Sequence, residues 1–258
     1  MPFFTSPVDS TSLFYRYYTP DEEDDKSFRP LFRYHLVFLH GWPMSSRMFE
    51  HLFVPLCETY RFRILAPDRR GFGKSDWNSK QTDRPITYDT FAADVVGLLE
   101  HLDIKDFVFV GAILSCKNSE RGSSGLGRPC PILSRHLNTL WGLQAGNQLS
   151  VKTLEHFERI IVEADGIALE KTCTLINQKT MDGELRELTA VTEARRPAVL
   201  ILHGDADQGM PIEASSKTAK EMLPWTELKV YENAGHGLYL THAGRDIDDL
   251  VEFVDKLR

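Results

Sequence analysis

Short apolar runs alternate with amphipathic stretches along most of the chain. His35–Leu39, Phe62–Ala66, Asp106–Gly111, Ala198–Leu202 and Glu227–Tyr231 are five or six residues long and rich in Val, Ile, Leu and Phe, which predicts buried strands. Ser12–Tyr18 reads as a further strand at a sheet edge. Between these runs the apolar positions recur at helical spacing. Ser45–Tyr60 carries Met48, Leu52 and Leu56, and Thr87–Leu102 carries Phe91, Val95, Leu98, Leu99 and Leu102 on one stripe. Ile212–Leu223 is stopped by Pro224, and His242–Leu257 aligns Ile247, Leu250, Val251, Val254 and Leu257. Ser150–Ala164 and Glu170–Leu188 are helical by the same spacing. Strands separated by helices imply βαβ units and a mostly parallel sheet, hence an α/β fold in one domain over residues 1–258.

The pattern fails between residues 113 and 150. This window holds four basic residues (Lys117, Arg121, Arg128, Arg135) and one acidic one (Glu120), so it carries +3 while the other 220 residues carry −10. Eleven of its 38 residues are Gly or Ser, and it has no Val. A buried parallel strand needs a Val/Ile/Leu run, and Pro131–Leu133 is all the window offers. A short helix is expected from about 136 to 149. The acidic run at 21–25 reads as solvated loop.

The chain as a whole has a net charge of −7, which argues against nucleic acid as the main partner. No run of about 18 apolar residues predicts a membrane span, and the N-terminus lacks the charge and apolar core of a signal peptide. A cytoplasmic protein without a membrane partner is expected; the sequence is silent on oligomeric state. The four cysteines (Cys57, Cys116, Cys130, Cys173) are scattered, with no CxxC pair, so neither a metal site nor a disulfide framework is expected.

Three motifs stand at predicted strand ends, where open α/β sheets bind ligands. In His40-Gly41-Trp42-Pro43 the glycine permits a sharp turn that can aim the Trp42 amide into the crevice as an oxyanion donor. Asp68-Arg69-Arg70-Gly71-Phe72-Gly73-Lys74-Ser75-Asp76 has glycines but leads into a polar loop. A phosphate site needs a helix N-terminus there, so the motif reads as a structural turn. The third is a pair: His203-Gly204-Asp205-Ala206-Asp207 after one strand and Glu232-Asn-Ala-Gly-His236 after the last. An Asp on the first loop can orient a His on the second.

These segments together, with the stretches 87–102, 200–211 and 234–242, resemble the α/β-hydrolase superfamily, and within it the cofactor-free (non-haem) haloperoxidases and esterases. The likeness covers roughly residues 8–111 and 155–258. It implies an eight-stranded, mostly parallel sheet flanked by helices, a helical cap and a Ser–Asp–His triad acting on small acyl substrates with no metal, haem or other cofactor. By position Asp207 would be the acid, with Asp205 the alternative, His236 the base, and the Trp42 amide half of the oxyanion hole.

The nucleophile is missing. The family sets its serine on a G-x-S-x-G elbow after the strand that ends at Gly111, and in register the serine position holds Ile113 with neither following glycine present. Ser115 lies two residues late and Cys116 three; Ser115 is the candidate that remains, and Gly122-Ser-Ser-Gly125 has no preceding strand. Only 86 residues separate Gly111 from Ala198, where the family's elements need roughly 100 at ordinary lengths. The expectation is a hydrolase with a disrupted, shortened middle, residues 113–150 foreign to the family and about 150–195 a remnant cap. It keeps acid and base and is impaired. The alternative is a non-catalytic pocket-binding or vestigial protein from a frame-shifted or mis-spliced gene.

Overall fold

The computed structural model describes residues 2–20, 34–78, 86–111, 149–178, 187–193 and 196–257. They fall into two units, Met1–Leu114 with His156–Leu175 and Ser115–Glu155 with Ile176–Arg258.

In the first unit five strands form one mixed sheet: β1 (Phe3–Thr5), β2 (Ser12–Tyr18), β3 (His35–Leu39), β4 (Arg63–Pro67) and β5 (Phe107–Gly111), in the order β1-β2-β4-β3-β5. β3 lies parallel to both β4 and β5, with Leu36 opposite Ile64 and Val108. Residues 36–38 and 64–66 are fully buried, as expected of parallel strands covered on both faces. On one face Val37, Leu65, Leu13 and Tyr15 pack with Phe4, Ile104 and the Leu98–Leu99 pair of helix α2 (Tyr88–His101). On the other face Phe38 meets the rings of Phe49 and Phe53. Helix α2 begins where the Thr87 hydroxyl accepts the Thr90 N–H and the Thr90 hydroxyl accepts the Thr87 N–H, so two orphan donors of the first turn are satisfied.

Two expectations change here. Ser12–Tyr18 is an interior strand, because β1 pairs with it on one side and β4 on the other. The helix expected over Ser45–Tyr60 is three short windings: a 3-10 turn (Ser46–Phe49), α1 (Glu50–Val54) and a π turn (Pro55–Thr59). Pro55 has no N–H to give back along the helix, so a regular α-helix cannot run through it.

In the second unit β6 (Leu200–Gly204) and β7 (Glu227–Tyr231) form a parallel pair. Helices α5 (Ser216–Met222), α6 (Leu238–Thr241) and α7 (Ala243–Asp255) complete it; α7 buries Ile247, Phe253 and Val254. Helices α3 (Val151–Val162) and α4 (Gly166–Gln178) precede β6 in the chain. Seven strands thus occur among the described residues, in sheets of five and two. The expected elbow at 111–117, the strand sought at Pro131–Leu133 and the helix near 136–149 lie outside the described residues from position 112 onward.

Candidate active site

The first unit supplies the loop after β3. His40 is buried, its Nδ1 is 3.0 Å from the Gly41 carbonyl, and its Nε2 accepts the Arg69 N–H at 2.9 Å. These partners place the ring proton on Nδ1. Burial first, and the nearby Arg69 charge second, push His40 down to about 3, so the ring is neutral. The Arg69 guanidinium donates to the His40 carbonyl, and burial lowers it to about 10. Gly41 donates to Met48 Sδ and accepts from the Met44 N–H. The Trp42 backbone N–H takes no acceptor among the described residues, which is what an oxyanion donor requires. The Trp42 indole N–H is held by Thr172 Oγ1 of α4 at 3.0 Å.

The loop after β4 is a structural turn. Asp68 accepts the Ser46 N–H at 2.8 Å and the Lys74 N–H at 3.0 Å, while its carbonyl accepts the Ser75 hydroxyl. Gly73 has φ +56, and a Cβ there would stand 2.2 Å from Asp68 Oδ2. Arg70 is fully buried and donates to both oxygens of Asp94 and both of Asp9, and to Thr11 and Ser6. Five donors in a planar fork suit two carboxylates at once, and the side chain ties this loop to α2 and to the turn between β1 and β2.

The second unit brings two of the expected residues together. Gly204 ends β6 so close to the loop after β7 that a Cβ would lie 2.1 Å from the Ala234 carbonyl oxygen. The Asp205 N–H donates to the Tyr231 carbonyl and the Ala206 N–H to the Ala234 carbonyl. Asp205 is spent on this stitching, since its Oδ1 accepts the Asn233 N–H at 2.6 Å. Asp207 is buried. Its Oδ1 accepts the N–H groups of Gly209 and Met210 at 2.8 and 2.9 Å, and its Oδ2 accepts from His236 Nδ1 at 2.8 Å. Burial works to raise the Asp207 carboxyl, but the His236 hydrogen bond and charge, the Met210 N–H and the nearby His203 outweigh it and hold it below its ordinary value. With Nδ1 donating, His236 keeps the lone pair of Nε2, which has no partner among the described residues. This is the arrangement of a general base.

Asp207 and His236 therefore meet within one unit, while Trp42 lies in the other. Ile113, Ser115, Cys116 and residues 122–125 lie outside the described residues. Cys57 and Cys173 form no disulfide among the described residues, and burial pushes Cys57 up to about 11, which makes it a poor nucleophile. Among the described residues no cluster of three His, Cys, Asp or Glu side chains could hold a metal, and no helix is long and apolar enough to cross a membrane. Sequence reasoning missed His203, four positions before Asp207, and Ser216. The His203 side chain leans on the Asp207 loop, and only its place at the end of an apolar run set it apart in the sequence.

A family model described as the alpha/beta hydrolase fold matches residues 34–112. The non-heme haloperoxidase of Rhodococcus erythropolis is 27% identical over 99% of this chain and 100% of its own length. The bifunctional esterase/perhydrolase DCH of Acinetobacter calcoaceticus is 24% identical over 97% and 99%. Among solved structures, the bromoperoxidase from Bacillus anthracis superposes with a TM-score of 0.76 at 21% identity, covering 98% of this chain and 99% of that one. An esterase from Exiguobacterium antarcticum gives 0.71 at 19% identity, covering 98% of each. The chain has the α/β-hydrolase fold, and its resemblance is to the non-haem haloperoxidases and esterases.

Proposed function

We propose that this chain carries the acid and base of a hydrolase for small acyl substrates, Asp207 and His236, without a competent nucleophile. The observation that carries the reading is the 2.8 Å Asp207–His236 hydrogen bond, with the other carboxylate oxygen filled by two backbone N–H groups. In the full reaction a serine hydroxyl passes its proton to His236 Nε2 and attacks the acyl carbonyl. The Trp42 N–H stabilises the oxyanion, and the alcohol leaves with the proton from His236. Water then releases the acid; hydrogen peroxide in its place releases a peracid. The names of the haloperoxidase and esterase/perhydrolase relatives support this chemistry. None of these steps needs a metal or haem.

Ile113 stands where the serine belongs and offers no nucleophilic atom, and Ser115 is the candidate that remains. Residues 113–150 are the anomalous segment, whose sequence lacks the elbow motif and the apolar run of a following strand, and about 150–195 the remnant cap. The alignment with the Rhodococcus protein runs over 291 positions against 258 residues here, which supports a shortened chain. If active, the protein takes a small-molecule acyl substrate in the cytoplasm, with neither nucleic acid nor membrane as partner. Ile113 also favours the second reading, a non-catalytic pocket-binding or vestigial protein.

A fluorophosphonate probe tests the proposal. The folded chain is expected to take no label under conditions that saturate an active serine esterase. A label that maps to Ser115 and vanishes in His236→Ala would show a complete triad. A label indifferent to His236 would overturn its role as base.

A further inference from the structure

The Asp207 carboxylate has a second histidine beside it. His203 is buried at the end of β6. Its Nε2 lies 2.9 Å from the Met210 carbonyl and 3.5 Å from Asp207 Oδ2, and its Nδ1 lies 2.6 Å from the hydroxyl of Ser216, itself buried at the start of α5. Both groups facing Nε2 are acceptors, so Nε2 carries the proton. In the neutral ring Nδ1 then accepts, and the single hydroxyl proton of Ser216 is committed to it.

The consequence reaches Asp207 by two routes. Met210 is held at both ends of its residue: its N–H by Asp207 Oδ1 and its carbonyl by His203. The loop 207–210 is thereby closed on the strand end, which fixes the carboxylate rotamer. The Nε2–H also places positive hydrogen density on the same Oδ2 that His236 uses. Asp205, the other acid on this loop, faces Asn233 and takes no part.

We propose that His203, keyed by Ser216, is a positioning residue for the acid–base pair: it locks the Asp207 carboxylate so that Oδ2 receives His236 Nδ1–H and leaves His236 Nε2 as the base. The proposal rests on the reading of Asp207 and His236 as that pair. It needs no nucleophile, so it can be tested whether or not the chain is active.

The experiment is imidazole nitrogen NMR of the full chain at about pH 9, well above the ordinary histidine range. A neutral ring locked in one tautomer shows two widely separated nitrogen resonances; a ring exchanging between tautomers shows them drawn together. Wild type is expected to show His236 as the pure Nδ1–H form. His203→Phe removes the donor and is expected to collapse that separation. His203→Gln restores a side-chain N–H at a similar reach and is expected to recover most of it, which a purely space-filling role would not predict. Thermal melts report folding in each case; if His203→Phe does not fold, Ser216→Ala, the loss of one hydroxyl, is expected to narrow the separation. A His236 ring unchanged in His203→Phe, or in Ser216→Ala when that variant stands in, overturns the proposal. Asp207→Asn separates this from the underlying reading: if His236 keeps its tautomer there as well, Asp207 does not orient it and the pair itself fails.

Discussion

Asp246 should make the protein less stable as the solution becomes less acidic. It sits on α7 beside Tyr231, whose hydroxyl gives its one proton to Asp249 Oδ2 at 2.6 Å. Asp246 Oδ1 is buried with no hydrogen-bond partner among the described residues. Burial, and then the negative charge of Asp249, raise its carboxyl from 3.8 to about 7, against the opposing effects of the nearby Tyr231 hydroxyl and Arg245. The folded protein thus keeps a proton that the unfolded chain releases in the ordinary carboxylate range. Stability from this group is full below about pH 4 and is lost as pH rises through about 7. At about 1.4 kcal/mol for each pH step, the whole loss is about 4 kcal/mol, and roughly 3 kcal/mol of it falls between about pH 5 and about pH 8. Asp246→Asn removes the charge in nearly the same volume. Urea denaturation at those two pH values is the assay, with unchanged m-values as the check that the same surface is exposed. The variant should gain on wild type by roughly 3 kcal/mol from the lower pH to the higher. Equal pH dependence in the two proteins would refute the reasoning, because it would mean that Asp246 ionises in the fold as freely as in water.

Three other outcomes follow from the packing. Arg70→Met leaves the buried Asp9 and Asp94 carboxylates without their cation and should cost about 3–5 kcal/mol in urea denaturation. Gly204→Ala sets a methyl against the Ala234 backbone rather than against a mobile side chain, so it should destabilise by about 1–3 kcal/mol; a melt equal to wild type would disprove that close approach. Among the described residues β5 and β6 each pair on one side only, and Phe109 of β5 is half exposed, so the chain should express with poor solubility. A monomeric sample melting cooperatively above about 60 °C would contradict this.

The parts of the fold that were legible are those where one physical signal dominates. β3 and β7 have the bounds that their apolar runs indicate, and α2 lies inside the stretch marked by its stripe and its Thr87 cap. β1 and α6 escaped because three or four residues are too few to show a period. The unnoticed β1 made β2 look like an edge, and Pro55 broke a stripe whose spacing alone spoke for one helix. At the site, an Asp loop and a His loop at successive strand ends were readable from the sequence, while the choice of Asp207 over Asp205 came from the family resemblance. His203 and Ser216 were not readable. A histidine inside a strand run and a serine opening a helix look ordinary until folding sets them 2.6 Å apart.

The stitching between the loops after β6 and β7 has a bearing on how this site ages. Among the described residues, the hydrogen bonds that align Asp207 with His236, from the Ala206 N–H on Ala234 to the His203–Ser216 contact, run between residues 203 and 236. The donors and acceptors of these bonds all belong to one short stretch of chain, so a change of sequence outside it removes none of them, and the couple would outlast the catalysis it served. It would also stand ready for a nucleophile restored from elsewhere, whether by reversion of the elbow or by a substrate that brings its own hydroxyl within reach of His236 Nε2.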